Sequence, residues 1–191
     1  MIRPYFEEQD YQGIDFTLEE LSQGEYENCL FTNCKMAEIC LSNHQFTDCQ
    51  FINCDFSNAQ ITHTVFKDVR FKDCKLMGLQ FNECNELFFS ASFDNCQLPL
   101  ASFYKRKLKN CAFINCQLHE VDFAECDLSK TKFVDCDLSN ALFDNTNLSK
   151  VDMSSSYNFT IDPERNNINK AQFSNDQLIG LLGKYQLTVK Q

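Results

Sequence analysis

The stretch from Cys49 to Ala59 reads CQFINCDFSNA, with Cys49 and Cys54 five residues apart and Phe51 and Phe56 also five apart. Neither a helix, at 3.6, nor a strand, at 2, repeats every five residues. The pattern is not local. From Phe16 to Phe81 every fifth residue is large and apolar, giving fourteen consecutive centres with no polar one among them. The frame then slips by two residues, resumes at Phe93 and holds for thirteen more centres to Met153. Two places before most centres sits a small or β-branched residue, such as Cys54, Ala59, Thr64, Val69, Ala101 or Val121. The other three places are mostly Asn, Asp, Ser, Lys, Gln and Glu.

A unit of five with two inward residues cannot bury its apolar side alone. Stacking such units into a solenoid solves the problem, each turn lying on the last at about 4.8 Å, the strand-to-strand spacing. The units CDLSK, CDLSN and VDFAE resemble those of the pentapeptide-repeat family over roughly residues 14 to 155. The resemblance implies an all-β fold, a right-handed quadrilateral β-helix in which four units make a square coil of twenty residues. About seven coils are expected, with a short C-terminal helix. Every twentieth centre then stacks. One column becomes Phe31, Phe51, Phe71, Phe93, Phe113, Phe133 and Met153, and another Phe81, Phe103, Phe123 and Phe143.

Twelve cysteines would read as disulfides in a secreted chain, but MIRPYFEEQDYQG lacks the basic-then-apolar pattern of an export signal. Reduced thiols in a cytoplasmic protein are expected. Ten cysteines fall on the small inward place, and Cys84 joins them if the first frame is extended. Cys34, Cys54, Cys74, Cys96, Cys116 and Cys136 then form a vertical ladder. There is no CxxC pair, so these thiols read as small core residues rather than metal ligands. Cys40 is off the pattern and is expected at the surface. His44 and Arg106 stand at small inward places and break the rule, which points to local distortion before it points to a site.

Three regions are expected: an N-terminal cap over 1–15, the β-helix over 16–156 with its frame break near 82–92, and a C-terminal cap and dimerisation segment over 157–191. Ser174 with Gln177 fits a helix-capping box. Apolar residues from Leu178 follow at helical spacing, and 186–190 alternates like a short strand.

Catalysis is not expected. The three histidines lie in no metalloprotease motif, and neither a Gly-rich phosphate loop nor a GxSxG elbow occurs. No metal and no cofactor are expected. The net charge of −10 argues against direct nucleic-acid binding, which needs a basic footprint. No apolar run is long enough for a membrane span. Charge is uneven. Residues 1–64 carry −9, 65–110 carry +3, 111–152 carry −5 and the tail +1. The basic cluster YKRKLK at 104–109 reads either as a second contact or as an offset of charge along the stack.

Within the family the layout resembles the gyrase-protecting members, the quinolone-resistance proteins and most closely the immunity protein against a gyrase-targeting microcin. The shared features are the length, the short break, the lack of long loops and the closing IDPERNNI segment. That resemblance implies a DNA mimic that binds gyrase or topoisomerase IV and relieves a toxin or quinolone. Glu120, Asp122, Glu125, Asp127, Asp135, Asp137, Asp144 and Asp152 would present the acidic surface. Leu178, Leu182, Tyr185 and Leu187 would join two copies at their C-termini. The alternative from the residues alone is a non-catalytic scaffold with no topoisomerase role, because fold does not give function.

Overall fold

A computed structural model describes residues 3–109 and 111–188. Its strands are short and all parallel. Strands β1 (Tyr5–Glu7), β3 (Glu25–Glu27), β5 (Gln45–Thr47), the start of β7 (Val65–Lys72) and the start of β8 (Phe89–Asp94) stack on a first face. Strands β2 (Asp10–Gln12), β4 (Leu30–Thr32), β6 (Gln50–Ile52), the ends of β7 and β8, β9 (Ala112–Ile114) and β10 (Lys132–Val134) stack on a second. Single bridges build the third face, from Asp15 through Lys35, Asp55, Lys75, Gln97, Gln117 and Asp137 to Tyr157. The fourth face runs from Gln80 through Ser102 and Asp122 to Leu142. The molecule is a four-sided parallel β-solenoid. The third face alone counts seven coil-to-coil steps, or about 34 Å at the interstrand spacing.

The five-residue unit makes this shape for local reasons. The centre and the residue two before it point inward. The residue two after the centre turns the corner with positive φ, as at Asn33, Asn53, Asp73, Asn115 and Asp135. Asn, Asp and Gly tolerate that left-handed conformation best, which explains their frequency there. Backbone bonds then run between coils on both sides of a centre: Asp55 N donates to Cys34 O at 3.0 Å and Phe56 N to Lys75 O at 2.8 Å.

The core is a shaft of aromatic columns. On the second face Tyr11, Phe31, Phe51, Phe71, Phe93, Phe113 and Phe133 stack with ring centroids 4.5 to 5.5 Å apart. The expected column is present and extends one coil further towards the N-terminus. On the fourth face Phe81, Phe103, Phe123 and Phe143 stack at 4.6 to 5.4 Å. Rings on adjacent faces meet edge to face, as Phe51 and Phe56 do at 4.9 Å and 85°. Both arrangements suit the ring quadrupole.

The ladders begin before Phe16. Phe6 and Tyr11 stack on Tyr26 and Phe31, so the segment that closes the N-terminal end does so as a coil in register. Gly24 permits the fit, since a Cβ there would lie 2.7 Å from Pro4 O and 3.0 Å from the Phe6 ring.

Where the small inward place holds a thiol or hydroxyl it is a donor place, while Ala59, Val69, Ala101 and Val121 fill it with apolar bulk alone. Sγ of Cys34, Cys54, Cys74, Cys96, Cys116 and Cys136 donates to the carbonyl of the centre one coil earlier, at 3.3 to 3.6 Å. Ser156, Thr64, Thr131 and Thr146 do the same with hydroxyls at 2.8 to 2.9 Å. Burial pushes the thiols of Cys49, Cys84 and Cys126 up to about 12 and that of Cys111 to about 11, which suppresses the reactive thiolate. Cys40 is exposed.

His44 and Arg106 obey this rule rather than distort it. His44 Nε2 meets Leu21 O at 3.4 Å, which sets the Nε2–H tautomer, and its ring lies parallel to that of Phe46. Arg106 Nε donates to Phe81 O at 2.7 Å, the same acceptor a cysteine would reach. Its longer side chain continues to Asn85 O and Cys84 O and lies over the Phe89 ring. The coil beneath it is the broken one, where Leu87 points outward and is 83% exposed. From Phe81 to Phe89 that coil is three residues longer than a unit, and from Phe89 to Phe93 one shorter. Arg106 fills the space and donates to three carbonyls of that coil, those of Phe81, Cys84 and Asn85. Burial depresses its pKa, and the multiple carbonyl bonds offset the desolvation of the charge.

At the C-terminal end the expected helix is a 3-10 turn over Asn175–Leu181, followed by a second over Gly183–Tyr185. Ser174 makes no side-chain cap, and Gln177 Oε1 instead accepts from Asn158 N. Gly180 lets the segment press onto Phe159, whose ring would lie 2.9 Å from an added Cβ. Residues 186–188 form no strand, Gln186 having positive φ, and 189–190 fall outside the described residues.

Candidate interaction surfaces

The solenoid fixes where each outward side chain goes. The eight acids of 120–152 do not gather into one strip. Asp127 stands on the first face, Asp152 on the second, Asp137 on the third and Asp122 on the fourth, where Asp144 also lies. Glu120, Asp135 and Glu125 turn three different corners with positive φ. Carboxylates therefore ring the C-terminal half on every side.

Several of them also hold the backbone. Asp122, Asp127, Asp137 and Asp152 each accept from the backbone N–H two residues on, at 2.9 to 3.1 Å. The recurring Asp-x-Ser of 127–129, 137–139 and 152–154 was a readable sign of this turn chemistry. For Asp137, burial works to raise the pKa. Bonds from Ser139, Asn158 and His119 outweigh it and hold the carboxyl at about 2. His119 lies 3.0 Å from it. Asp144 pairs with Arg165 at 2.7 Å, and Glu125 with Lys105 at 3.5 Å and Tyr104 at 2.9 Å. The cluster 104–109 thus divides: Lys105 neutralises an acid one coil away, Arg106 is core, and Lys107 and Lys109 face solvent.

The C-terminal end is apolar outside. Leu178, Ile179, Leu182, Tyr185 and Leu187 are 38 to 55% exposed. The segment is pinned from within by Leu181, which packs on the core, and by Lys184, which reaches Asp162 at 3.0 Å and Glu164 at 2.7 Å. The four residues expected at a dimer contact all lie in this exposed group.

Among the described residues no group of His, Cys, Asp and Glu is placed to hold a metal ion. No helix among them is long and apolar enough to cross a membrane. A groove of about 490 Å³ lies at the break, lined by Asp48, Asp68, Arg70, Ser90, Lys107 and Lys109 among others.

Comparison with known families agrees with this geometry. A model of the pentapeptide repeat region matches residues 24–86, 44–108 and 86–180. The chain belongs to the pentapeptide-repeat family. Among solved structures it is similar to full-length QnrB1, a plasmid-mediated fluoroquinolone resistance protein, with a TM-score of 0.59 and 16% identity, covering 96% of this chain and 100% of that one. It is similar also to HetL, a pentapeptide repeat protein involved in heterocyst differentiation regulation from the cyanobacterium Nostoc, with a TM-score of 0.56 and 11% identity, covering 92% of this chain and 87% of that one. At these identities the likeness is one of fold. No curated protein sequence matches the chain.

Proposed function

We propose that this pentapeptide-repeat protein is a DNA mimic that binds a type II topoisomerase, gyrase or topoisomerase IV, and protects it from a toxin or quinolone. The observation that carries the reading is the ring of carboxylates on all four faces of a narrow solenoid. A duplex presents negative charge from every side, and a basic DNA-binding saddle would attract both by the same field. The cations of residues 111–152 are Lys130, Lys132 and Lys150, which keep to the second face and the corner leading into it, so the other sides stay acidic. Two copies joined through Leu178, Leu182, Tyr185 and Leu187 would bring both acidic halves to the middle of one longer rod. QnrB1 is described as a fluoroquinolone resistance protein, and with the resemblance to the gyrase-protecting members this makes these enzymes the first partners to try.

A scaffold with no topoisomerase role is the second reading. One observation favours it: Asp122, Asp127, Asp137 and Asp152 are already explained by the turns they hold. HetL, with a different described role, shares the fold about as well.

The test is gyrase supercoiling with a quinolone present, scoring supercoils and cleaved DNA as the protein is titrated in. Protection restores supercoiling and lowers cleavage. The informative variant is Glu120→Lys with Asp135→Lys, because lysine already occupies equivalent positive-φ corners at 105, 130 and 150. Loss of protection with an unchanged fold supports mimicry. Undiminished protection by this variant removes the acidic ring from the mechanism, and no effect of the parent protein favours the scaffold.

A further inference from the structure

The corner between the first and second faces differs from its neighbour. Between the second and third faces the positive-φ file reads Gly13, Asn33, Asn53, Asp73, Asn95, Asn115, Asp135. These are residues suited to the left-handed conformation, and they bond from rung to rung, as Asn53 to Asn33 at 2.7 Å and Asn95 to Asp73 at 2.6 Å. The first corner reads Glu8, Asn28, Asp48 and Asp68 before the break, then Lys130, Lys150 and Lys170 after it, with φ of 53 to 65° throughout. Lysine is a poor choice there for the backbone. Three like charges in vertical register also repel one another.

Other stacks offset their charges instead. The third face alternates Asp15, Lys35, Asp55 and Lys75, with ion pairs at 2.9 and 3.8 Å. Lys105 pairs with Glu125 across one coil. Among the described residues Lys130, Lys150 and Lys170 pair with no carboxylate, and all three are exposed. The nearest acids on the flanking faces, Asp127 and Asp152, are engaged by Ser129 and Ser154.

The acidic and basic files share one corner, one rise and one centre. Ser90, in the broken coil, marks the middle. Asp48 lies two coils before it and Lys130 two coils after; Glu8 lies four before and Lys170 four after. The groove at this centre has Asp48 and Asp68 on one side and Lys107 and Lys109 on the other.

We infer that this corner is a docking edge for a second copy of the chain, laid antiparallel about a two-fold axis at Ser90. Lys170 of one copy meets Glu8 of the other, and Lys130 meets Asp48. The contact is isologous, so each pair occurs twice. A second copy is the one partner sure to carry opposite charge at the same rise, so that the rungs match together. The inference does not rest on topoisomerase binding, and the edge is separate from the apolar C-terminal end. Exposed ion pairs are individually weak and salt-screened, so this association is salt-labile.

The test is sedimentation velocity of the full chain in low and high salt, in a Leu182→Asp, Tyr185→Asp background that removes the C-terminal contact. Doubling of mass is expected in low salt, with at least about tenfold weaker association in 0.5 M salt, where the Debye length falls below about 5 Å. A chain carrying Lys130→Glu, Lys150→Glu and Lys170→Glu and another carrying Glu8→Lys and Asp48→Lys are each expected to stay monomeric, and their mixture to dimerise. Failure of the mixture to dimerise with both variants folded overturns the inference. So does association of the parent that neither salt nor the variants weaken, or a parent monomeric at every salt concentration. Binding of the lysine file to heparin in place of self-association overturns it as well.

Discussion

Two columns of small inward residues solve one problem differently. On the second face to the third, the column is nearly uniform: Cys34, Cys54, Cys74, Cys96, Cys116, Cys136 and then Ser156. On the first face it is mixed: Gly24, His44 and Thr64, then, beyond the broken coil where Leu87 points outward, Arg106, Cys126, Thr146 and Asn166. Apart from Gly24, which has no side chain to donate, both columns meet the same acceptor, the carbonyl of a centre one coil earlier, as Asn166 Nδ2 does with Phe143 O at 3.1 Å. The place selects a donor, and size follows from the room the neighbouring rung leaves. The broken coil leaves room for a guanidinium at 106. In the uniform column a thiol or hydroxyl donates at every rung from Cys34 to Ser156.

The sharpest test of this contrast removes the filling common to both columns. Phe113→Ala, in the middle of the uniform stack, is expected to cost about 4 kcal/mol, read from the denaturation midpoint. Arg106→Met keeps the bulk and removes the donor. It leaves buried carbonyls of Phe81, Cys84 and Asn85 without partners, at about 3 kcal/mol in total. Amide exchange is expected to quicken in 82–88 first. If Arg106→Met proved neutral, the donor rule would fail where it is most exposed to test. Cys116→Ser keeps a donor and, as Ser156 already shows, is expected within about 1 kcal/mol of the parent, whereas Cys116→Val, with no donor, is expected to be worse despite its apolar bulk.

The smallest effect concerns pH. Asp137 has a folded-state pKa depressed to about 2 from the ordinary aspartate value of 3.8. Its contribution is therefore fully present above pH 4 and lost as pH falls through 2. Asp137→Asn is expected to flatten the pH dependence of stability across that window. The same slope in parent and variant would assign the acid sensitivity to other carboxylates.

Much of this was readable in the chain. The five-residue period fixes which residues point inward, and so both aromatic columns followed from Phe31 and Phe81 by counting. The first coil was hidden because Pro4 and Gln9 occupy its small places, neither of them a thiol, a hydroxyl or an alanine. Apolar spacing predicts a helix at the C-terminal turn, but seven residues with Gly180 inside and Gly183 just beyond offer little intrinsic helicity, and packing on Phe159 sets its course. His44 and Arg106 looked like exceptions because a sequence shows the size of a side chain and not the carbonyl waiting for it. The acids were visible; that they encircle the rod and hold its turns was not, since both depend on which corner each one occupies.

The frame break also divides the chain's capacity to grow. On either side of it, copying any twenty consecutive residues would add one rung without creating a new kind of contact, because each coil touches only the coils above and below. Across 82–92 the repeat is twenty-two residues, and a copy would need its own arginine to close it. Gene duplication could thus lengthen either arm of this protein a notch at a time, like a ruler extended by its own graduations, while the joint between the arms is inherited once.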